Sequence, residues 1–396
     1  MNKIISVIVL VLVLAAPATY AQQITIEPVL RAGYDVNDNA TLSIQTIDEA
    51  DISGILLDAS VRFGYQSPKT KLTATARLLE RDYGDEEFDA TEEFFGFRYD
   101  YSGQSSRFQL RGNYASQPVR TAELTDTDFE VDDPSEIPDD NSGLITLRDQ
   151  RQRVDIIPAY TYDISDAATV GFDVRYTDVR YERQIAGLND YKNMRTNLNF
   201  SRSWSPRNTA LFGLTHRTYQ ADGSDSVSGY GVNGGIERLL SEKTTLRLIV
   251  GLDNTPIAGS SDRVEPVGEI TLIRRLQTIR LLAQYRRVVT GGGSGTLSAR
   301  DIININFTRE LTERVSAGIG VRAYSTQTRQ EEFVSPDDRD YVQLRAQVVW
   351  NLSRTFSLEA NYRYTVLDRV NIGESGNSNN ITFWMNWRPS GYNSAR

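Results

Sequence analysis

Arginine is the residue through which this chain could do chemistry. Few of its 43 basic side chains are lysine, and many of the arginines recur on one parity of alternating segments. They are Arg62, Arg77, Arg98, Arg111, Arg175, Arg195, Arg247, Arg280, Arg286, Arg322, Arg345, Arg363 and Arg388. A guanidinium is planar, presents a fork of donors and cannot be titrated away, so rows of it attract carboxylates and phosphates. Acids share the parity in smaller number: Asp58, Asp100, Asp155, Asp173, Glu237, Glu265, Glu269 and Glu359. Two readings stand side by side. Rings of guanidinium around a pore favour the passage of anions, whereas Arg and acid on neighbouring strands form ladders that brace a wall with no solute intended. The basic excess tips the balance toward a pore, with Arg345 and Arg363 as one lumen cluster and Glu359 as its neutralising partner.

Other chemistries find little support. Without cysteine there is no disulfide framework, thiolate metal site or lipid-anchored Cys. The single histidine, His216, rules out a histidine cluster, and it shares parity with Phe212 and Leu214, away from the arginines. That placement disfavours a Ser-His or Asp-His hydrolase. The glycine-rich "GYGVNGG" and "GGGSG" open no helix, so neither reads as a phosphate cradle. The sequence therefore predicts no catalytic residue, no cofactor and no metal, and the chain is not read as an enzyme. A net charge of -9 argues against nucleic acid as a partner.

The arginines sit on strands. In "FSLEANYRYTV", Phe356, Leu358, Ala360, Tyr362, Tyr364 and Val366 take one parity, and Ser357, Glu359, Asn361, Arg363 and Thr365 take the other. Successive side chains of a strand point to opposite faces, so alternation over such a length predicts a strand between two different environments. "DYVQLRAQVVWNL" and "NITFWMNWR" repeat the pattern. Fifteen further segments from Ile24–Asp35 to Val315–Tyr324 bring the expected number to about 18, each near the length of a tilted membrane-spanning strand.

The connections alternate in kind. Short ones such as "QSPKT", "SPRNT" and "SRT" contrast with longer polar ones such as "DYGDEEFDATEE", "TQTRQEEFVSPDDRD" and the acidic insert at about 119–152. Short periplasmic turns opposed to longer extracellular loops are expected of an outer-membrane barrel. Tyr65, Tyr101, Phe108, Tyr162, Trp204, Phe307, Trp350, Phe356 and Trp387 lie beside the short turns, and Tyr34, Tyr114, Tyr176, Tyr230 and Tyr364 near the long ones. Two aromatic belts belong where rings meet headgroups. The fold expected is all-β, a transmembrane antiparallel barrel of about 18 strands over 22–396. Residues 1–21, with Lys3, the run "IISVIVLVLVLAA" and small residues before Ala21, read as a secretory signal.

At "GYDVNDNATLS" and "NYRYTVLDRVN...SNNITFWMNW" the chain resembles the outer-membrane β-barrel porins of the second type. The resemblance implies a channel that accompanies exopolysaccharide synthesis and export, and polysaccharide-export components as partners. The arginine-bearing lumen is similar to that of 18-stranded alginate exporters. A barrel of this kind would also meet outer-membrane lipid, lipopolysaccharide and the barrel assembly machinery. One feature departs from the pattern: barrels usually finish on an aromatic residue, and here "RPSGYNSAR" follows Trp387. The alternative to a channel is a non-conducting structural or adhesive barrel whose lumen is filled by Arg–acid ladders.

Overall fold

Lipid offers backbone groups no hydrogen-bond partner, so an alternating chain can cross a bilayer only as a closed barrel. The computed structural model shows such a barrel. It describes residues 23–42, 50–123, 149–183, 188–255, 264–293, 295, 297–327, 339–369, 374–389 and 391–395. The signal segment 1–21 and most of the acidic insert lie outside these residues.

Eighteen strands form the wall. They are β1 (Gln23–Asn37), β2 (Ile52–Gln66), β3 (Thr70–Asp82), β4 (Ala90–Ser102), β5 (Ser106–Pro118), β6 (Gln150–Ser165), β7 (Ala168–Tyr181), β8 (Tyr191–Ser205) and β9 (Asn208–Ala221), followed by β10 (Val227–Ser241), β11 (Thr244–Asn254), β12 (Val264–Arg275), β13 (Ile279–Gly291), β14 (Leu297–Glu310), β15 (Val315–Gln327), β16 (Arg339–Asn351), β17 (Phe356–Arg369) and β18 (Glu374–Trp387). Each pairs antiparallel with the next, and β18 returns to β1, setting Trp387 opposite Leu30 and Asn380 opposite Asn37. Among the described residues the only helix is the single turn α1 (Val119–Glu123). Connections of two to four residues alternate with connections of four to thirty-one. By the usual rule the short ones are periplasmic and the long ones extracellular.

The two faces meet different solvents. Leu198, Phe212, Leu214, Val232, Val250, Ile270, Ile305, Ile319, Leu344 and Ile381 are exposed on the outside, which is lipid for a barrel in a membrane. Tyr160, Tyr162, Trp204, Trp350, Phe356 and Trp387 form a belt beside the short turns, and Tyr34 and Tyr230 lie toward the other rim. His216 is on this outer face, with its ring 4.8 Å from that of Tyr230.

The closing seam is fastened from within. Gly33 lies directly opposite Trp384, and a Cβ at position 33 would come within 2.6 Å of the indole. The glycine clears space, and the indole covers it from the lumen side. Asp35 accepts hydrogen bonds from Asn380 Nδ2 at 2.8 Å, Thr382 Oγ1 at 2.6 Å and Tyr83 Oη at 2.9 Å, so one carboxylate ties β18 to β1 and to the end of β3.

The C-terminal segment that follows Trp387 takes part in closing the wall. Residues Tyr392–Ala395 form a short strand, β19, antiparallel to Gln23–Ile26 of β1. Trp387 pairs with Leu30 and Tyr392 with Ile26, so β19 continues the edge of β18 after a one-residue slip around Pro389. It covers the stretch of β1 that β18 leaves open. Removal of 391–396 should expose that edge and lower the temperature at which the folded barrel loses its compact migration on unheated gels. An unchanged transition would show that the seam does not need β19.

Depth along a strand sets the cost of a charge on the lipid face. Leu198 stands at the middle of β8, whereas Leu358 is the third residue of β17. Leu198→Arg should cost about 2–4 kcal/mol, and Leu358→Arg only about 0–1 kcal/mol near the interface. Denaturant titration in lipid vesicles would measure both; equal costs would mean that the membrane plane is misplaced.

Candidate functional site: the barrel lumen

Every arginine named from the sequence lies on a wall strand except Arg388. That residue follows the end of β18, where its backbone N–H donates to the Thr355 carbonyl at 2.7 Å. It belongs to the short-turn rim, because β18 stops at Trp387 and Pro389 prevents a regular ladder there.

Between β2 and β7 the wall encloses a cavity of about 860 Å³ that opens beside the short turns. Its cations are Arg62, Lys69, Lys71, Arg98, Arg111, Arg153 and Arg175, set against the two carboxylates Asp100 and Asp155. Both acids are already engaged. Asp100 accepts from Arg98 Nε at 3.1 Å and Gln109 Nε2 at 2.6 Å. Asp155 accepts from Arg153 Nε and from Thr177 Oγ1, each at 2.6 Å. Among the described residues Arg62, Lys69 and Lys71 form no ion pair.

Register makes the positive charge denser still. Arg98 is directly opposite Arg111, Arg175 is opposite Arg195, and Arg195 is opposite Arg217. Arg345 and Arg363 face each other in the same way on β16 and β17. Like charges directly across a ladder are destabilising, so these positions are costly to the wall.

Other arginines serve as braces. Arg31 and Arg77 close on the buried Asp58 from either side, Arg31 through Nε at 2.9 Å and Arg77 through Nη2 at 2.8 Å. Arg247 Nη2 meets Glu237 at 2.7 Å, and Arg217 reaches across β10 to Asp253 at 3.6 Å. Arg286 lies opposite Glu269, and Arg280 opposite Thr308 near the short-turn end. Arg322 and Arg345 are buried; Arg345 Nη2 is 3.5 Å from Asn306 Oδ1, and Arg363 Nη2 is 3.2 Å from Asn380 Oδ1.

Glu359 is not the counter-ion expected for Arg363. Its carboxylate accepts from three amides, Gln347 Nε2 at 2.9 Å, Asn361 Nδ2 at 2.7 Å and Asn386 Nδ2 at 3.3 Å. The lumen side of β16–β18 is rich in amides, and these neighbours reach the carboxylate first.

Toward the long-loop end the lumen turns apolar. Val179, Tyr181, Tyr191, Tyr219 and Ala221 cluster with Val119, Leu188, Val289 and Leu297. A second cluster joins Leu42 of the β1–β2 connection to Ile302, Tyr324, Tyr341 and Leu367. Phe88 packs with Ala40 and Ile52, and the Arg120 guanidinium of α1 lies 5.4 Å from its ring centre. Burial holds that guanidinium below its ordinary pKa and pushes the neighbouring Tyr83 hydroxyl up. The basic cavity thus lies beside the short turns, and apolar clusters fill space toward the long loops, beside the buried arginines Arg151, Arg300, Arg322 and Arg339.

Sequence reasoning missed Arg31, Arg153 and Trp384 as lumen groups. Arg153 and Trp384 were legible in principle, sharing parity with Asp155 and with Asn380 and Thr382. Arg31 needed the pairing of β1 with β2 to bring it to Asp58.

Comparison with known proteins supports the fold. No family model matches the chain, and no curated protein does. Among solved structures it is similar to OccAB4 of Acinetobacter baumannii, at 9% identity and a TM-score of 0.51 over 95% of this chain and 100% of that one. It is also similar to the outer membrane channel DcaP of Acinetobacter baumannii, at 9% identity and a TM-score of 0.49 over 94% and 99%. A third is OpdQ of Pseudomonas aeruginosa, at 8% identity and a TM-score of 0.48 over 93% and 98%. The chain is an 18-stranded β-barrel of the bacterial outer-membrane type.

The Asp58 brace generates a prediction. Asp58→Asn would leave Arg31 and Arg77 without their shared carboxylate and should destabilise the barrel by roughly 1.5–3 kcal/mol. Chemical denaturation of the variant measures this, and a cost near zero would mean that the two guanidinia are adequately solvated without it.

Proposed function

We propose that the protein is a non-enzymatic outer-membrane channel that prefers anionic solutes, acidic polysaccharide among them. The observation that carries this reading is the basic cavity between β2 and β7, with seven cationic side chains against two carboxylates. Directly opposed arginine pairs are a poor way to stiffen a wall. They are a good way to replace the hydration of a carboxylate or phosphate in transit. Lipopolysaccharide at the outer rim, the assembly machinery and polysaccharide-export components are the partners that accompany such a role.

A non-conducting barrel is the second reading. The Arg31–Asp58–Arg77 brace and the apolar clusters near the long-loop end favour it, since both fill space that a wide pore would leave to water.

Ion selectivity in planar bilayers separates the two. Arg98→Gln with Arg111→Gln should move the reversal potential under a salt gradient toward cations. The charge-neutral pair Glu237→Gln with Arg247→Gln should leave it in place, because that ion pair contributes no net field. A barrel that conducts nothing, or whose selectivity ignores the first pair, would make the ladder reading correct.

A further inference from the structure

The β13–β14 hairpin leaves the wall before it ends. The β12–β13 ladder runs from Arg275 opposite Arg280 to Gly268 opposite Arg287 and then stops. β12 itself continues to Val264, where Val264–Val267 pair with β11 alone. β13 continues to Gly291, where Val288–Gly291 pair with β14 alone. Two strand edges that were neighbours have parted. Pro266 lies in the parted stretch of β12 and has no N–H to give a ladder, as is usual for proline at an edge.

Above the split, the hairpin leans inward over β10–β12. Tyr219 Oη on β9 donates to the Gly292 carbonyl at 2.7 Å. The backbone N–H of Asn189, in the β7–β8 connection, donates to the Gly293 carbonyl at 2.6 Å. Arg195 Nη2 on β8 lies 3.5 Å from the Val289 carbonyl. Val289 and Leu297 are buried in the cluster with Tyr181, Tyr191 and Tyr219. Gly291, Gly292 and Gly293 carry no side chain, so among the described residues the docked state draws on these backbone contacts and on Val289 and Leu297.

We propose that this hairpin is a gate hinged at Arg287, with a docked position inside the lumen and a second position in the wall. In the register already set, Val288–Gly291 would meet Val267–Val264 and extend the β12–β13 ladder by four residues. The docked position gives partners to the Val289, Gly292 and Gly293 carbonyls, whereas the in-wall position would instead pair the parted edges of β12 and β13, so the hairpin has two competing sets of partners. The docked position narrows the long-loop mouth, and the in-wall position clears it. Asymmetry between the ends follows, because the short turns hold no segment of comparable reach.

The chain's lack of cysteine makes the test clean. A Cβ on Gly295 would lie 3.8 Å from Ala221 Cβ, a separation suited to a disulfide. Gly295 has a φ of +81°, so Cys there carries some strain, and the reduced double variant is the control for assembly. Oxidised Ala221→Cys with Gly295→Cys should hold the pore at its low conductance level, and reductant should restore switching to the higher one. Identical traces before and after reduction would overturn the proposal.

A second measurement needs neither that disulfide nor conduction. Ala221 is 2% exposed beneath the hairpin, so Ala221→Cys alone should react slowly with a water-soluble thiol reagent. Adding Tyr219→Phe removes the hydroxyl that holds Gly292 and should raise that rate roughly two- to tenfold. An unchanged rate would mean that the hairpin does not undock. Because labelling reads the hairpin itself, a barrel that fails the selectivity test can still pass this one.

Discussion

The rest of this structure depends on β1 finding partners on both of its sides. In the hydrocarbon region an open edge is expensive, since each unpaired backbone group there costs several kcal/mol, and the parted edges of β12 and β13 lie at the long-loop ends of their strands. β1 meets β2 from Gln23 to Asn37 on one side. On the other it needs two partners, β18 for Leu30–Asn37 and β19 for Gln23–Ile26. Closure therefore joins the two chain ends, and the whole register is fixed by a contact more than 340 residues apart in sequence, as between Asp35 and Asn380. The buried polar groups at the seam suit that task. A slip of one residue would turn Asp35 toward lipid and Tyr34 toward the lumen.

Closure then dictates where charge can go. With one parity given to lipid, every arginine on the other parity must share the lumen with its neighbours, and antiparallel register decides which neighbours those are. Where register supplies an acid, as at Asp58 or Glu237, the arginine becomes a brace. Where it supplies another arginine, as at Arg98 and Arg111, two like charges face each other across the ladder, and one of them turns to a carboxylate on its own strand, Arg98 to Asp100. Braced arginines and directly opposed arginines thus occur in one wall, according to what the register puts beside each.

Much of this was legible in the alternation of "FSLEANYRYTV" and its relatives, because lipid on one face and a polar lumen on the other imprint a period of two that nothing else in the chain disturbs. Strand number, the two classes of connection and the outward placement of His216 all follow from that period. What the period cannot carry is anything set by curvature or by contacts between distant strands. The inward lean of Val288–Gly291 is one case, since its valines read as an ordinary strand end. The seating of Leu42 against Tyr324 and Tyr341 is another. The capture of Glu359 by amides is a third, because parity says which face a side chain takes but not which neighbour reaches it. Lumen-parity tyrosines at 181, 219, 324 and 341 were the available sign that the long-loop end is not wet.

Distance separates the electrostatics of the two ends of the lumen. A strand of about 14 residues rising about 3.4 Å each, tilted by about 40°, spans roughly 35 Å along the barrel axis. Screening in physiological salt falls off over about 8 Å. Arg62, Lys69 and Lys71 at the short-turn end of the cavity are therefore more than a screening length from the long-loop end of the strands, and the net charge of -9 is a poor guide to the field beside them. If the protein is the anion-preferring channel proposed above, charge at one end and packing at the other would be separable: the hairpin would set how much passes, and the arginines what is preferred.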